Sequence, residues 1–448
     1  MFDLARAQER CGALIDCARR FGADGADAIA IGSASESVQV RLGKLEDVER
    51  SESEQVGLRV FVGQRSASIQ ATDLSDAALG ELAERAVAMA RAAPEDPFAG
   101  LADEALLMRG QQLNLDLCDA GEPRPEQLRA LAEEAEDAAR AVAGVTNSEG
   151  GSASFGRSLV ALATSHGFSG AYEGSSHGLS ASVVAGNGGN MQRDYAWRQT
   201  RHAADLPSGA EIGRLAGERA VARLDPGRLA SGTMPVVFDP RVGGSLIGHL
   251  ISAMAGAAIA RRSSFLLERL EEVLFDPAIR IVDQPHLLRG LRSRPFDGEG
   301  LPTAARDLVA DGRITGWLAE SASARQLGIA PTGHASRGSS GAPGVSASNV
   351  HMEPGAASRD ELIADIADGV LVTELIGHGV NGVTGDYSRG ASGFRIVNGE
   401  IAGPVAEFTV AGNLVDMFRA LTPASDLEWH QSINVPTLRV DGMTVAGD

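Results

Sequence analysis

Forty Lys and Arg against 59 Asp and Glu give this 448-residue chain a net charge of −19, which excludes a broad nucleic-acid face, since such binding draws its affinity from cationic contacts to phosphate. The length passes the roughly 250–300 residues at which a single core stops growing, so two domains are expected. Only 4% of the residues are aromatic and 54 are glycine, so the core must be Ala, Val, Leu and Ile with many tight turns.

The three cysteines, Cys11, Cys17 and Cys118, form no disulfide or metal framework, which points to a reducing compartment. Charges run through Met1 to Arg20 without an apolar core, so no signal peptide is expected. No run approaches the roughly 18 apolar residues of a membrane span. A soluble cytoplasmic protein, with no membrane and no nucleic-acid partner, is the expectation.

Along the chain, Leu4, Ala7, Cys11, Leu14, Ile15, Ala18 and Phe21 recur at helical spacing, and Gly22 stops the helix. Alternation at Val38, Val40 and Leu42, then at Leu58, Val60 and Val62, predicts two half-buried strands. Ser75 caps a helix that Pro94 ends. A second long helix runs from Pro125 to Ala143; its acidic residues Glu133, Glu134, Glu136 and Asp137 read as a solvated face. From Val145 to Gln199 the pattern is β, with turns at Gly150-Gly151 and at Gly186-Asn187-Gly188-Gly189. Glu211 to Leu224 returns to helix, and Pro226 to Gly232 separates an N-terminal α+β domain (1–225) from a mostly β C-terminal domain (233–448). The second domain opens on the strand Pro235 to Pro240 and a helix over 242–260, with one further helix near Asp360 to Ala367. The fold class is therefore α+β, with helices packed on an antiparallel sheet in the first domain.

Ordered segments then carry a family resemblance. They are Gly217-Glu218-Arg219-Ala220, Pro235 to Pro240, Arg261 to Phe265, Phe296-Asp297-Gly298-Glu299-Gly300, Asp311-Gly312-Arg313-Ile314, Thr332-Gly333-His334-Ala335, Thr384-Gly385-Asp386-Tyr387-Ser388, Asn398-Gly399-Glu400-Ile401 and Pro436 to Val440. In their order and spacing the chain resembles TldD/PmbA proteins, once called modulators of DNA gyrase. TldD members carry a His-Glu-x-x-x-His helix after the matching strand, in which two His hold zinc and the Glu activates water. Here that stretch is Gly248-His249-Leu250-Ile251-Ser252-Ala253, with Gly248 and Ala253 at the ligand positions and His249 at the glutamate. A TldD cysteine ligand is also missing from Trp429-His430-Gln431-Ser432. The resemblance is thus to the TldE/PmbA branch. It implies no metal or cofactor in this chain and zinc in a TldD-like partner. It also implies a heterodimer, or a homodimer in isolation, that takes unfolded peptides as added β-strands.

Six residues are candidates for lining a peptide cavity. His334 and Arg337 lie in a glycine- and serine-rich stretch read as a mobile loop, and the matching region lines the cleft in the family. His378 and Asn381 lie in Gly377 to Gly382, and Asp386 and Tyr387 in the motif that follows. Each also has a plainer reading, as turn or packing residue, and a lone His249 on an apolar helix reads first as structural. Ser339 and Ser340 lack a nucleophile elbow. Two other functions fit the sequence: a homodimeric peptidase acting alone, and a non-enzymatic regulator of gyrase or antitoxin systems.

Overall fold

The computed structural model describes residues 3–447. Helix α1 (Leu4–Arg20) is capped by Asp3, whose carboxylate accepts from Arg6 N at 2.7 Å. Three strands follow, β1 (Gly25–Arg41), β2 (Lys44–Val62) and β3 (Arg65–Ala71), then helices α2 (Asp76–Ala92) and α3 (Pro125–Arg140). Strands β4 (Val145–Thr164), β5 (Ser169–Ala185) and β6 (Gln192–Thr200) complete an antiparallel sheet of order β3-β2-β1-β4-β5-β6, closed off by α4 (Gly209–Ala222). The pleat sorts the residues of this sheet. Ala26, Ala28 and Ala30 face the first two helices, and Val38 and Val40 face the next two. Ile29 and Leu162 face the other way and pack on Phe296 and Leu301 of the C-terminal part. The molecule is therefore layered as helices, sheet, C-terminal body.

Two expectations change here. Glu136 is fully buried, not solvated. Its carboxylate accepts from Leu42 N at 2.7 Å and Gly43 N at 2.8 Å, the two amides of the β1–β2 turn, where φ is positive at both residues. Gly150 and Gly151 lie inside β4 and make no turn. A Cβ on Gly151 would sit 2.1 Å from the Ala132 carbonyl oxygen, so glycine is there to let α3 approach.

Beyond α4 come β7 (Gly232–Phe238), α5 (Pro240–Ala253) and α6 (Gly256–Ala260). The helix expected over 242–260 breaks at Met254 and Ala255. There Leu318 N donates to Met254 O (2.9 Å) and Leu318 O accepts from Gly256 N (2.7 Å), replacing helical bonds. Short strands β8 (Ile281–Asp283), β9 (Arg306–Ala310) and β10 (Arg313–Ile314), helix α7 (Ser321–Leu327), the pair β11 (Ala335–Ser336) and β12 (Gly344–Val345), strand β13 (Val350–Met352) and helix α8 (Arg359–Ile363) lead to long strands. These are β14 (Asp368–Ile376), β15 (Asp386–Val397) and β16 (Glu400–Asn413). Helix α9 (Leu414–Arg419) and strands β17 (Leu421–Pro423), β18 (Ile433–Asn434) and β19 (Leu438–Ala446) end the chain. One sheet has order β10-β9-β8-β13-β18; the other has order β16-β15-β14-β7-β19-β17 and closes on itself through β16–β19. Val236, Phe238, Val370 and Val372 on one face of this closed sheet share a core with Leu246, Ile247 and Leu250 of α5. Val237, Leu371 and Ile396 on the other face are covered by Ile363 and Ile366. The fold is α+β with a β-rich C-terminal region. Among the described residues no helix is long and apolar enough to cross a membrane.

Candidate functional site

Helix α5 starts at the end of β7 because Asp239 caps it, accepting from Arg241 N at 3.0 Å, and Pro240 occupies the first turn, where its missing N–H costs nothing. Its Leu246, Ile247 and Leu250 are buried, which turns Gly244, Ser245, Gly248, His249 and Ser252 outward. They face two hollows. One, of about 480 Å³, lies between α5, Arg193 to Tyr195 of β6, Thr373 to Leu375 of β14 and Gln431 to Ile433. The other, of about 270 Å³, lies between His249, Ser252 and Ala253 on one side and Phe265, His378, Val380 and Gly382 on the other. Arg389 of β15 lines both. A third hollow of about 370 Å³ shares Tyr195, Arg241, Gln431 and Ile433 with the first and extends past Trp197 and Arg219. Together they form a trench along β6 and α5.

Charge in the trench is mostly paired. Asp194, 2% exposed, accepts from Arg241 at 2.8 and 3.1 Å and from Arg223 at 3.3 Å. Arg223 also holds Glu374 and donates to Ser392 Oγ at 2.7 Å. Burial by itself would raise the Asp194 carboxyl, but hydrogen bonds and charge from Arg241, with Arg223, leave it below the usual carboxylate range. Arg193 pairs with Glu149 at 3.4 Å.

Around Arg389 the pattern reverses. His249 Nε2, Thr373 Oγ1, Tyr387 OH and Arg389 Nε are buried atoms without a hydrogen-bond partner among the described residues. Burial, and then the Arg389 charge, push the His249 imidazole below its ordinary value. Burial pushes the Tyr387 hydroxyl up to about 12, and the charge and side-chain contact of the neighbouring Arg389 offset it only in part. The His249 and Tyr387 rings meet edge to face, 6.3 Å between centroids.

The sequence candidates divide. His249, Ala253 and His378 line one hollow, and Gly248 lines the next. Tyr387 lies behind them, 2% exposed. Asn381 and Asp386 shape the loop: Asn381 Oδ1 accepts from Val383 N at 2.9 Å, and Asp386 accepts from Thr384 Oγ1 at 2.6 Å and Asn413 Nδ2 at 3.3 Å. His334 and Arg337 line none of the three hollows. His334 is buried, with Nε2 3.0 Å from Asp283 and Nδ1 2.7 Å from the Thr332 carbonyl. Arg337 is the bridge to the first sheet, donating to Asp27 at 2.9 and 3.2 Å with a guanidinium that is 0% exposed. The stretch expected to be mobile is thus anchored at both residues. Sequence reasoning missed Arg389, which follows the Thr384 to Ser388 motif directly, and Asp194, whose partners lie far off in sequence. The strand addition that the resemblance implies meets an obstacle at the open edge of β6. Tyr195 N already donates to Asp194 (2.8 Å), and Tyr195 O accepts from Arg219 (3.2 Å).

Gly248 and Ala253 have no side-chain donor atoms, and among the described residues no three His, Cys, Asp or Glu are grouped to hold a metal. The trench as it stands can grip and orient a polar chain, and it offers no ligand set to a cation.

Comparison with known proteins places this geometry. Residues 26–90, 118–224 and 231–447 match the PmbA/TldA metallopeptidase domain 1, central domain and C-terminal domain. The strands of the first two matches share one sheet, β3-β2-β1-β4-β5-β6. The chain is 38% identical to the Metalloprotease PmbA of Escherichia coli O157:H7, over 95% of its length and 92% of the relative. It is 36% identical to the Metalloprotease PmbA homolog of Haemophilus influenzae, over 92% and 90%. A Bacteroides thetaiotaomicron protein named a modulator of DNA gyrase superposes with a TM-score of 0.90 at 27% identity, covering 98% of this chain and 99% of that one. TldE from Thermococcus kodakarensis shares the fold, with a TM-score of 0.86 at 20% identity over 98% and 100%. With family matches along most of its length and relatives aligned nearly end to end, the chain belongs to the PmbA/TldD metalloprotease family.

Proposed function

We propose that this chain is the peptide-holding subunit of a cytoplasmic metallopeptidase, without zinc of its own, and that a TldD-like zinc-bearing member of the family performs the hydrolysis. The observation that carries this reading is the pair Gly248 and Ala253 on α5, at the positions where a metal helix would present imidazoles; Gly248 borders the first hollow, and Ala253, 6% exposed, borders the second. His249 is a single imidazole between them, and a catalytic zinc takes about three protein ligands. The residues present do not fit the ion, so no hydrolytic step is assigned to them. What they do is bind: the trench offers paired arginines, backbone and a half-buried cation to an unfolded peptide, and the subunit completes a chamber with its partner.

Metal analysis and peptide cleavage by the chain alone and after co-expression with the same organism's TldD-like protein test this. The expected result is less than stoichiometric zinc in the isolated chain, a one-to-one complex, and chelator-sensitive cleavage only in that complex. One tightly held zinc per isolated chain, or chelator-sensitive cleavage by it, would favour a homodimeric peptidase instead.

A further inference from the structure

We propose that Arg389, with His249 beside it, is a carboxylate-binding site where the first and second hollows of the trench meet. This rests on the peptide-holding reading above and specifies which part of a peptide is held. Every other arginine in the first hollow has an acid: Arg193 has Glu149, Arg223 has Asp194 and Glu374, and Arg241 has Asp194. Among the described residues Arg389 has no carboxylate partner, and its Nε is buried with no acceptor. A desolvated guanidinium N–H left unbonded is costly, and a carboxylate accepting from it recovers that cost. Among the described residues no Asp or Glu lines the second hollow. His249 Nε2, likewise buried and unpartnered, lines the same hollow. The buried Tyr387 hydroxyl adjoins Arg389 in the same cluster. The remaining wall sets Ser252 and His378 beside the apolar Ala253, Phe265 and Val380. A cationic end with an apolar wall suits one terminal residue: its carboxylate on Arg389, its side chain on Phe265 and Val380. The carboxylate can come from a peptide C-terminus or from an Asp or Glu side chain.

The test uses one N-terminally labelled unstructured peptide in three forms: free acid, C-terminal amide, and amide with a C-terminal Glu. Binding to the full chain and to Arg389→Gln is followed by fluorescence anisotropy. The free acid is expected to bind about tenfold or more tighter than the amide, the scale of one charge-assisted hydrogen bond. Arg389→Gln is expected to erase that difference, bringing the free acid to the affinity that the same variant shows for the amide. If the Glu-bearing amide matches the free acid, a side-chain carboxylate serves; if it matches the plain amide, the site takes C-termini. Should Arg389→Gln fail to fold, competition on the unsubstituted chain decides: acetate must displace the free acid and acetamide must not. Equal binding of acid and amide, or a preference that survives Arg389→Gln, overturns the carboxylate site and leaves peptide holding intact. No binding of any form overturns both.

Discussion

Replacing Asp27 should undock the first sheet from the C-terminal body. Asp27 sits on β1 opposite Arg59 of β2 and is 3% exposed. It accepts from Arg59 Nε at 2.7 Å and from Arg337 at 2.9 and 3.2 Å, so one carboxylate serves two buried guanidiniums from opposite sides of the interface. The next acid, Glu299, is 3.8 Å from Arg59 and is held above its ordinary range by burial, which Ser321 and Arg59 only partly offset. In Asp27→Ala both cations lose their main counter-charge in a water-poor layer. Removing one partner of such a pair costs about 3–5 kcal/mol, a large share of the 5–15 kcal/mol that typically holds a domain. Urea unfolding followed by circular dichroism should show the midpoint fall at unchanged slope. Hydrogen exchange should rise first around Asp27 and Arg337. In a double-mutant cycle with Arg337→Met, the two losses should sum to about 2 kcal/mol more than the double variant shows. A cost below about 1 kcal/mol, or additive losses, would refute the linchpin role of this carboxylate.

Further outcomes follow from the same geometry. A Cβ on Gly57 would lie 2.1 Å from the Ser339 carbonyl oxygen, so Gly57→Ala should cost more than about 2 kcal/mol in urea unfolding. Gly12→Ala, with nothing within 4 Å in helix α1, should instead stabilise by about 0.5–1 kcal/mol. Glu136→Gln weakens two charge-assisted bonds to the β1–β2 turn and should lower stability by about 1–3 kcal/mol; a change within experimental error would show that the turn needs no anchor. Because the Asp194 carboxyl is depressed in the folded state, its contribution is fully present above the unfolded carboxylate value of about 3.9 and is lost as pH falls through the folded value. Unfolding free energies of the unsubstituted chain and Asp194→Asn should therefore differ at pH 7 and converge below about pH 4. A gap independent of pH would remove the ionised clamp from the account.

What could be read from the sequence follows the range of each interaction. Local signals held: Ser75 caps α2, with Oγ accepting from Ala78 N at 3.3 Å, and the apolar spacing of α1 buries Cys11, Leu14 and Ala18 as expected. Strand pattern failed over residues 44–53, where both faces are exposed and no alternation arises. Glycine misled where it serves contact at Gly151 against α3; on α4, which was read as helix, a Cβ on Gly213 would meet the Ala135 carbonyl oxygen at 2.0 Å. At the candidate site, His249 and His378 were both singled out, and the fold brings them to one hollow from positions 129 apart. His334 and Arg337 looked like loop tips because their acids, Asp283 and Asp27, lie far away in sequence. The same distance hid Asp194, since no single-sequence pattern pairs it with Arg223 and Arg241.

The first sheet, unlike the closed one, leaves the outer side of β2 from 44 to 55 without a partner strand among the described residues, because β3 begins its pairing at Val56. That bare rim carries Glu46, Asp47, Glu49, Glu52 and Glu54 against Lys44 and Arg50. Two identical copies meeting rim to rim would bring like charges together before any amide could pair. That repulsion opposes stacking of this protein into fibrils through the β2 rim, and salt high enough to mask those carboxylates would weaken it.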